Sequence, residues 1–341
     1  MDDPPQLRSS DVSRHHPSLG VIVGLIVVAT SLGSAPALAA YPGEEGRIAF
    51  VRGGEIWTAA TDGSEELRLT RVGAAFTPVW SPDGRRIAFT WYRPALGTRA
   101  DIWTMAADGS DKRQVTAERA WETYPTWSPN GRWIAFSSDR EEIGFGAFAI
   151  YKIRSSVLDA TPRLLTDGGL SSGGLESIND TDPAWSPLGD VILFQRNFND
   201  GGCAECSFAE LWTITPDGEN ETRLPSTGRE PAWSPHGRRI AYAEETIGPL
   251  EIAESYNNIF HVHPDGTDVR QVTHFGSGNW FYARRPAWSP DEGRRIVFDL
   301  ANFVDGNLGI AMIGSRGLGS PALIIENGYD PDWQPLPTGH Q

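Results

Sequence analysis

The chain has 341 residues with 39% hydrophobic content, which is enough to bury a large core, and its formal net charge is −15. Such an acidic chain lacks the basic face that neutralises phosphates, so nucleic acid is excluded as the expected partner. Thirteen tryptophans and 37 glycines are typical of a β-protein with many tight turns and not of a disordered chain.

The first segment, residues 1–40, is predicted to be an export signal. Leu19–Leu32 is apolar but shorter than a membrane span, and Ala37-Leu38-Ala39 offers the small residues that a signal peptidase reads. Three aspartates offset the two arginines at the front of the leader, so an uncleaved membrane anchor is the alternative. Both interpretations place the remaining chain in the periplasm, the cell envelope or the extracellular space, with membrane contact only through an uncleaved leader.

A twelve-residue unit recurs through the rest of the chain, and its clearest copy is Pro78–Phe89, Pro-Val-Trp-Ser-Pro-Asp-Gly-Arg-Arg-Ile-Ala-Phe. Ser-Pro-Asp-Gly has the preferences of a type I turn, and Ile-Ala-Phe suits a strand that is covered on both faces. The tryptophans of the six copies lie 47, 58, 48, 55 and 45 residues apart, a period typical of one four-stranded propeller blade. They are expected to wedge between blades as structural residues, and they are Trp80, Trp127, Trp185, Trp233, Trp288 and Trp333.

In chain order, Gly46–Thr70 predicts the second, third and fourth strands of a blade whose first strand is missing. Five continuous blades follow, and Tyr329–Trp333 then repeats a first strand with nothing after it. Pairing this last strand with the first three would close the ring and leave no long sheet edge exposed. The sequence therefore predicts an all-β fold, a six-bladed β-propeller of four-stranded antiparallel blades over residues 41–337, with a short tail at 338–341.

The repeated unit, with the Asp-Ile-Trp and Ala-Asp-Gly-Ser segments that follow it, resembles the repeats of the TolB-type propeller, a WD40-like (PD40) repeat. The resemblance covers Gly46 to Pro335. It implies a periplasmic propeller that binds other proteins and is not an enzyme. Members of the family carry a separate N-terminal domain, which is not expected here because the repeats begin almost directly after Ala40.

Strand direction predicts which loops lie together. In each blade, the turns that join strand one to strand two and strand three to strand four are short and lie on one face, which we call the short-turn face. The connections from strand two to strand three and from one blade to the next are long and lie on the other face, the long-loop face. Binding is expected on the long-loop face, because loops on a rigid scaffold carry function. The residue before each first-strand proline should rim the central channel there, and these six positions are Thr77, Tyr124, Asp182, Glu230, Arg285 and Asp330.

This ring holds three carboxylates, a guanidinium and a phenol, which suit a peptide amine, a cation or a basic segment of a partner. A solvated ring that only satisfies strand ends is the alternative. The sequence thus predicts a monomeric, non-catalytic scaffold that binds a protein or peptide of the cell envelope. The second hypothesis is a metal-assisted lyase or hydrolase that acts on saccharides or peptides at the channel mouth, the end of the channel that this ring surrounds. Propeller lyases that resemble this fold are the model for it.

The sequence motifs for a metal site or for covalent catalysis are weaker than those for a binding site at the channel. Asn179–Asp182 offers the oxygen ligands that Ca²⁺ prefers, without a recognised loop spacing, so no cofactor is predicted and calcium stays an alternative. His261 and His263 lie on one side of a strand but lack a third ligand. No nucleophile elbow is predicted. The two cysteines, Cys203 and Cys206, are too few for a zinc site, and export favours a local disulfide over redox chemistry.

Overall fold

The structure is a computed structural model that describes residues 42–71, 73–93, 99–140, 147–156, 160–166, 168–170, 177–199, 208–247, 255–276, 281–302 and 307–337. The predicted leader, the two cysteines and the tail lie outside these residues. The described residues form β-strands arranged in six antiparallel sheets, one for each blade. In this part of the chain, no helix has the length and apolar character needed to cross a membrane.

The strands are numbered in chain order. The first half of the ring contains β1 Glu44–Arg52, β2 Glu55–Ala59, β3 Leu67–Arg68, β4 Ala75–Trp80, β5 Arg86–Tyr92, β6 Ala100–Ala106, β7 Arg113–Gln114, β8 Glu122–Trp127, β9 Trp133–Ser138, β10 Ala149–Arg154, β11 Arg163–Leu164 and β12 Gly169–Leu170. The second half contains β13 Ser177–Trp185, β14 Ile192–Asn199, β15 Phe208–Ile214, β16 Thr222–Thr227, β17 Arg229–Trp233, β18 Ile240–Ile247, β19 Ser255–Val262, β20 Arg270–Gln271, β21 Phe281–Trp288, β22 Arg295–Asn302, β23 Asn307–Gly314, β24 Ala322–Glu326 and β25 Tyr329–Leu336.

One blade is composite and closes the ring. Its strand order is β25-β1-β2-β3, and Ile48 of β1 lies opposite Trp333 of β25. The predicted six-bladed fold and its closure are therefore confirmed. The blade of Trp185 differs in one respect: the two-residue strand β12 pairs with the free edge of β13. This addition was not predicted, because Gly169–Leu170 carries no strand pattern of its own.

The core lies between blades, where the tryptophans of the repeat pack. Trp127 contacts Ala88 and Ile102 of the preceding blade together with Ile134 of its own, and it is 3% exposed. Its indole Nε1 donates to the Val79 carbonyl of the preceding blade at 3.3 Å. The other five tryptophans of the repeat are also at most 8% exposed, so each blade is held to its neighbour by a buried indole.

The Ser-Pro-Asp-Gly turns join the first and second strands on the short-turn face. In the clearest copy, the Gly84 amide donates to the Ser81 carbonyl at 2.8 Å, and Ser81 Oγ donates to Asp83 Oδ1 at 2.7 Å. The Arg86 amide donates to Ser81 Oγ at 2.9 Å, and Gly84 has φ +65°, which glycine tolerates without strain. The side chains that follow each turn are therefore fixed in repeated positions.

Candidate functional site at the channel mouth

The first strand of every blade contains a β-bulge beside its proline. Six non-glycine residues at the bulges adopt left-handed backbone conformations, with φ between 48° and 55°. This conformation costs roughly 1–2 kcal/mol for each residue, and a bulge of this kind re-aims the side chain. All six residues line the central channel, whose accessible volume is about 170 Å³. They are the ring positions taken from the sequence: Thr77, Tyr124, Asp182, Glu230, Arg285 and Asp330.

Neighbouring blades hold these strained positions in place. The Thr77 amide donates to Asp330 Oδ2 at 3.2 Å, and the Arg285 amide donates to Glu230 Oε2 at 3.0 Å. The Asp330 amide in turn donates to Asp299 Oδ1 at 2.8 Å. Two of the three ring carboxylates therefore satisfy backbone groups of the next blade, as the alternative of a purely structural ring requires. The other oxygens of these two side chains, Glu230 Oε1 and Asp330 Oδ1, contact Arg285.

Arg285 is the centre of the charge network. Its Nη1 lies 2.7 Å from Asp330 Oδ1, and its Nε lies 3.6 Å from Glu230 Oε1 and 3.9 Å from Asp299 Oδ2. Its guanidinium carbon also lies 5.4 Å from the centre of the Tyr124 ring, which belongs to the opposite blade. The side chain of Arg285 therefore reaches across the channel and joins both sides of the ring.

Negative charge exceeds positive charge at this site. Among the described residues that line the channel and its mouth, two guanidinium groups face five carboxyl groups. The groups are Arg284 and Arg285, and Asp182, Glu230, Asp299, Asp330 and Asp332. Arg284 Nη2 lies 2.6 Å from Glu230 Oε1, so both arginines are already engaged. The excess favours protonation of the carboxyl groups or the arrival of a further cation.

The pKa values of Asp182 and Asp332 are raised, and burial is the largest cause for both. Burial raises the pKa of Asp182 to about 6, and the charge of Glu230 adds to this rise while Arg285 opposes it. Burial raises the pKa of Asp332 to about 7, although the Trp80 amide donates to its Oδ2 at 2.6 Å. The charge of Asp182, with burial second, raises the pKa of Tyr124 to about 12, so this phenol stays neutral.

A wider cavity of about 670 Å³ opens above the channel on the long-loop face. Thr77, Tyr124, Arg285 and Asp330 line both spaces, so the two are continuous. Aromatic residues form much of the upper wall: Phe76, Tyr92, Trp121, Tyr282 and Tyr329. The Tyr92 and Trp121 rings pack with their centres 5.1 Å apart. The site is therefore an acidic funnel with an aromatic rim.

The aromatic residues in or beside the predicted loops divide into two groups. Tyr92, Trp121, Tyr124 and Tyr282 line the channel mouth. By contrast, Trp91 packs edge-to-face on Trp103 with ring centres 4.6 Å apart, and Phe281 packs on Phe275 at 5.3 Å. Trp280 lies outside the described residues. Strand alternation explains the division, because consecutive residues of a strand face opposite sides.

Sequence reasoning missed three members of the site: Arg284, Asp299 and Asp332. Asp332 stands where the other repeats have valine, threonine or alanine between proline and tryptophan, and a carboxylate there was a readable signal. Asp299 interrupts the apolar second strand Ile296–Leu300, and its carboxylate accepts from the next blade. Arg284 has no comparable signal, since a strand residue beside the channel looks like any exposed arginine.

The segment proposed for calcium is engaged by protein groups. Both carboxylate oxygens of Asp180 accept from the Arg196 guanidinium at 2.7 and 2.8 Å, and Asn179 Oδ1 accepts from the Phe148 amide at 2.9 Å. Asp182 faces the channel instead. Calcium at this segment is an alternative to the prediction of no cofactor, and nothing in the structure tests either of them.

The two strand histidines have different surroundings. His261 is 4% exposed and lies between Arg239 and the Ser315 carbonyl, whereas the His263 side chain is 40% exposed. Within the described residues, no three His, Cys, Asp or Glu side chains are grouped as metal ligands.

The prediction that no nucleophile elbow exists needs a correction at the level of sequence. Gly169-Leu170-Ser171-Ser172-Gly173 has the Gly-x-Ser-x-Gly spacing. In hydrolases this motif joins a buried strand to a helix, whereas Gly169–Leu170 is a two-residue edge strand of its sheet. Ser171 lies outside the described residues, so the motif supports no catalytic assignment.

Comparison with known proteins places the repeats in a family. Residues 55–170 match the family model described as the TolB beta propeller domain. Residues 55–170 therefore carry TolB-type propeller repeats. The chain is 40% identical over 58 residues to the Tol-Pal system protein TolB of Rhizorhabdus wittichii, covering 16% of this chain and 12% of that protein. It is 29% identical over 161 residues to an uncharacterized protein of Agrobacterium fabrum, covering 46% and 45%. The chain spans less than half the length of these curated relatives.

Solved structures resemble the fold of this chain over most of its length. TolB from Acinetobacter baumannii superposes with a TM-score of 0.61 at 18% identity, covering 87% of this chain and 69% of that one. An oligogalacturonate lyase from Vibrio parahaemolyticus superposes with a TM-score of 0.52 at 11% identity, covering 79% and 74%. The same architecture therefore occurs in TolB and in an enzyme, and function has to be argued from the site.

Proposed function

We propose that this TolB-type propeller is an exported, non-catalytic scaffold that binds a protein or peptide of the cell envelope at its channel mouth. One observation carries the proposal: among the described residues, five carboxyl groups and two guanidinium groups lie beneath an aromatic rim on the long-loop face. The family match supports it, because a matching relative is named as a protein of the Tol-Pal system.

The charge excess supports a cationic partner. A lysine, an arginine or an N-terminal ammonium group would supply the cation that Asp182 and Asp332 lack, and it would be drawn in by the acidic potential. The rim offers Tyr92, Trp121 and Tyr282 to apolar neighbours of that cation. A cavity of about 670 Å³ has the volume of an ordinary ligand site and accommodates a few residues of a peptide.

The test exchanges one carboxylate that makes no bond to a neighbouring amide. Asp182→Asn removes a charge from the channel and keeps the size of the side chain, while Asp190→Asn makes the same change in an exposed turn of the short-turn face. A partner captured from envelope extract should bind the wild type and the Asp190 variant equally, and the Asp182 variant at least tenfold more weakly. Equal binding by all three proteins, or no specific partner, would reject the channel mouth as the site.

The pH dependence of binding follows from the same group. Since the pKa of Asp182 is raised to about 6, its carboxyl group is charged at pH 7.5 and largely neutral at pH 5. Affinity for a cationic peptide should therefore rise between pH 5 and pH 7.5 in the wild type. The Asp182→Asn variant should show a flatter profile in the same titration, and a profile as steep as that of the wild type would exclude Asp182 as the titrating group.

A further inference from the structure

A second cleft lies on the short-turn face, between the blades of Trp233 and Trp288. Its accessible volume is about 260 Å³. Basic side chains dominate its lining, which is unusual for a chain of net charge −15. These side chains are His236, Arg238, Arg239, His261, Arg270 and Arg316. We call this space the basic cleft.

Carboxylates neutralise only part of this charge. Asp268 lies 2.7 Å from Arg239 Nη2 and 2.9 Å from Arg270 Nε. Among the residues that the structure describes, neither Arg238 nor Arg316 has a carboxylate within salt-bridge distance. Two guanidinium groups in the lining are thus available to an anion.

The histidines complete the electrostatic description. His236 Nε2 lies 3.1 Å from Glu292 Oε2 at the exposed edge of the cleft. Inside, Arg239 Nη1 donates to His261 Nδ1 at 3.0 Å, so His261 Nε2 carries the proton and donates to the Ser315 carbonyl at 3.2 Å. Burial, with the charge of Arg239 second, lowers the pKa of His261 to about 4. His261 is therefore a neutral, fixed part of the wall.

The repeats provide an internal comparison. The equivalent cleft between the blades of Trp80 and Trp127 has an accessible volume of about 440 Å³. It has the same frame, because Asp111 lies 2.8 Å from Arg86 Nη1 and 2.9 Å from Arg113 Nε. The frame of two arginines around one aspartate is therefore a property of the repeat and does not by itself indicate a ligand.

The differences between the two clefts are specific to the lining. His236 stands where the first cleft has Asp83, His261 stands for Thr104, and Arg316 stands for Ser156. The carboxylate of Asp83 is thus replaced by an imidazole, and the hydroxyl of Ser156 by a guanidinium. One change has the opposite sign, since the turn before Gly293 contains an inserted Glu292, whose carboxylate faces His236.

We propose that the basic cleft binds the phosphate or sulfate group of an anionic ligand. Arg238 and Arg316 supply unpaired, planar donors that match the oxygens of a tetrahedral dianion. His236 places an imidazole at the edge, where its Nε2 contacts Glu292 Oε2 at 3.1 Å. The cleft lies on the face opposite the acidic funnel, so this site is independent of the proposed partner site.

The experiment titrates the full chain with inorganic phosphate and with sulfate by calorimetry at pH 7, with ionic strength held constant by sodium chloride. The variants Arg316→Ser and His236→Asp, alone and combined, restore the residues of the first cleft, which already fit the same frame. Saturable binding by the wild type should weaken at least tenfold in the double variant. Asp190→Asn controls for the loss of one exposed charge.

A reciprocal variant keeps the test decisive if the double variant is unstable. Asp83→His combined with Ser156→Arg should give the first cleft a second phosphate or sulfate site, seen as a higher stoichiometry. No saturable binding of either anion by the wild type would overturn the proposal. Equal binding by a folded Arg316→Ser, His236→Asp protein would overturn it as well.

Discussion

Replacing Asp332 with asparagine should stabilise the propeller above neutral pH and leave its stability unchanged in acid. Burial raises the pKa of this carboxyl group from 3.8 to about 7, so the folded protein favours the neutral form. The stability associated with that form is complete below pH 3.8 and is lost as pH rises towards 7. Asparagine stays neutral and keeps a carbonyl oxygen for the Trp80 amide, which donates to Asp332 Oδ2 at 2.6 Å.

The expected magnitude follows from linkage. A pKa rise of about three pH units corresponds to about 4 kcal/mol, at about 1.4 kcal/mol for each unit. The free energy of unfolding of Asp332→Asn should therefore equal that of the wild type at pH 4 and exceed it by about 4 kcal/mol at pH 8. Between these values, the difference should grow with pH and level off above pH 7.

The assay is urea unfolding followed by tryptophan fluorescence at pH 4, 5, 6, 7 and 8, together with calorimetric melting at the same values. Asp190→Asn, in an exposed turn, serves as the matched control and should show no difference that grows with pH. A constant offset between Asp332→Asn and the wild type at all pH values would refute the argument from burial. A destabilised variant at pH 8 would refute it too, because the asparagine would then fail to replace the hydrogen bond.

Three further predictions concern stability. Arg285→Gln removes the partner of Glu230 and Asp330, so urea unfolding at pH 7 should show a loss of roughly 3–5 kcal/mol. Burial raises the pKa of Asp330 above its ordinary value, so this carboxyl group is neutral in acid, and an equally large loss in acid would contradict this account. Trp127→Ala should lower the free energy of unfolding by roughly 3–5 kcal/mol, because the indole is buried. Leu188→Ala is the control: its side chain is 66% exposed, so the free energy of unfolding should change by less than about 0.5 kcal/mol. Equal effects would mean that the Trp127 indole does not stabilise the core. Deletion of residues 329–341 removes β25 and should sharply lower the melting temperature, and a truncated protein that melts like the intact one would show that closure by β25 is dispensable.

The repeat predicted the fold well because its signals are local. The turn Ser81–Gly84 and the apolar run Ile87–Phe89 each specify their own conformation, and the spacing of six copies then leaves one closed arrangement. The location of the ring residues at the channel was also predictable, since each precedes a first-strand proline. The two-residue strand β12 was not, because it forms only by pairing with β13.

The chemistry of the site was less accessible to sequence reasoning. The left-handed backbone at the ring positions depends on the bulge and on hydrogen bonds from the next blade, and no single repeat contains both. For the same reason, the reach of Arg285 across to Tyr124 was not predicted, because those residues belong to opposite blades. Interactions between repeats therefore carry most of the information that the sequence does not show.

The composite blade has a consequence for biosynthesis. In the chain, β1 begins at Glu44 and its partner β25 begins at Tyr329. At a translation rate of 5–20 residues per second, the ribosome needs roughly 15 to 60 s to produce the intervening residues. If blades fold before β25 is available, β1 has a bare edge, so a chaperone that shields β1 until the final strand is present would protect the protein from self-association.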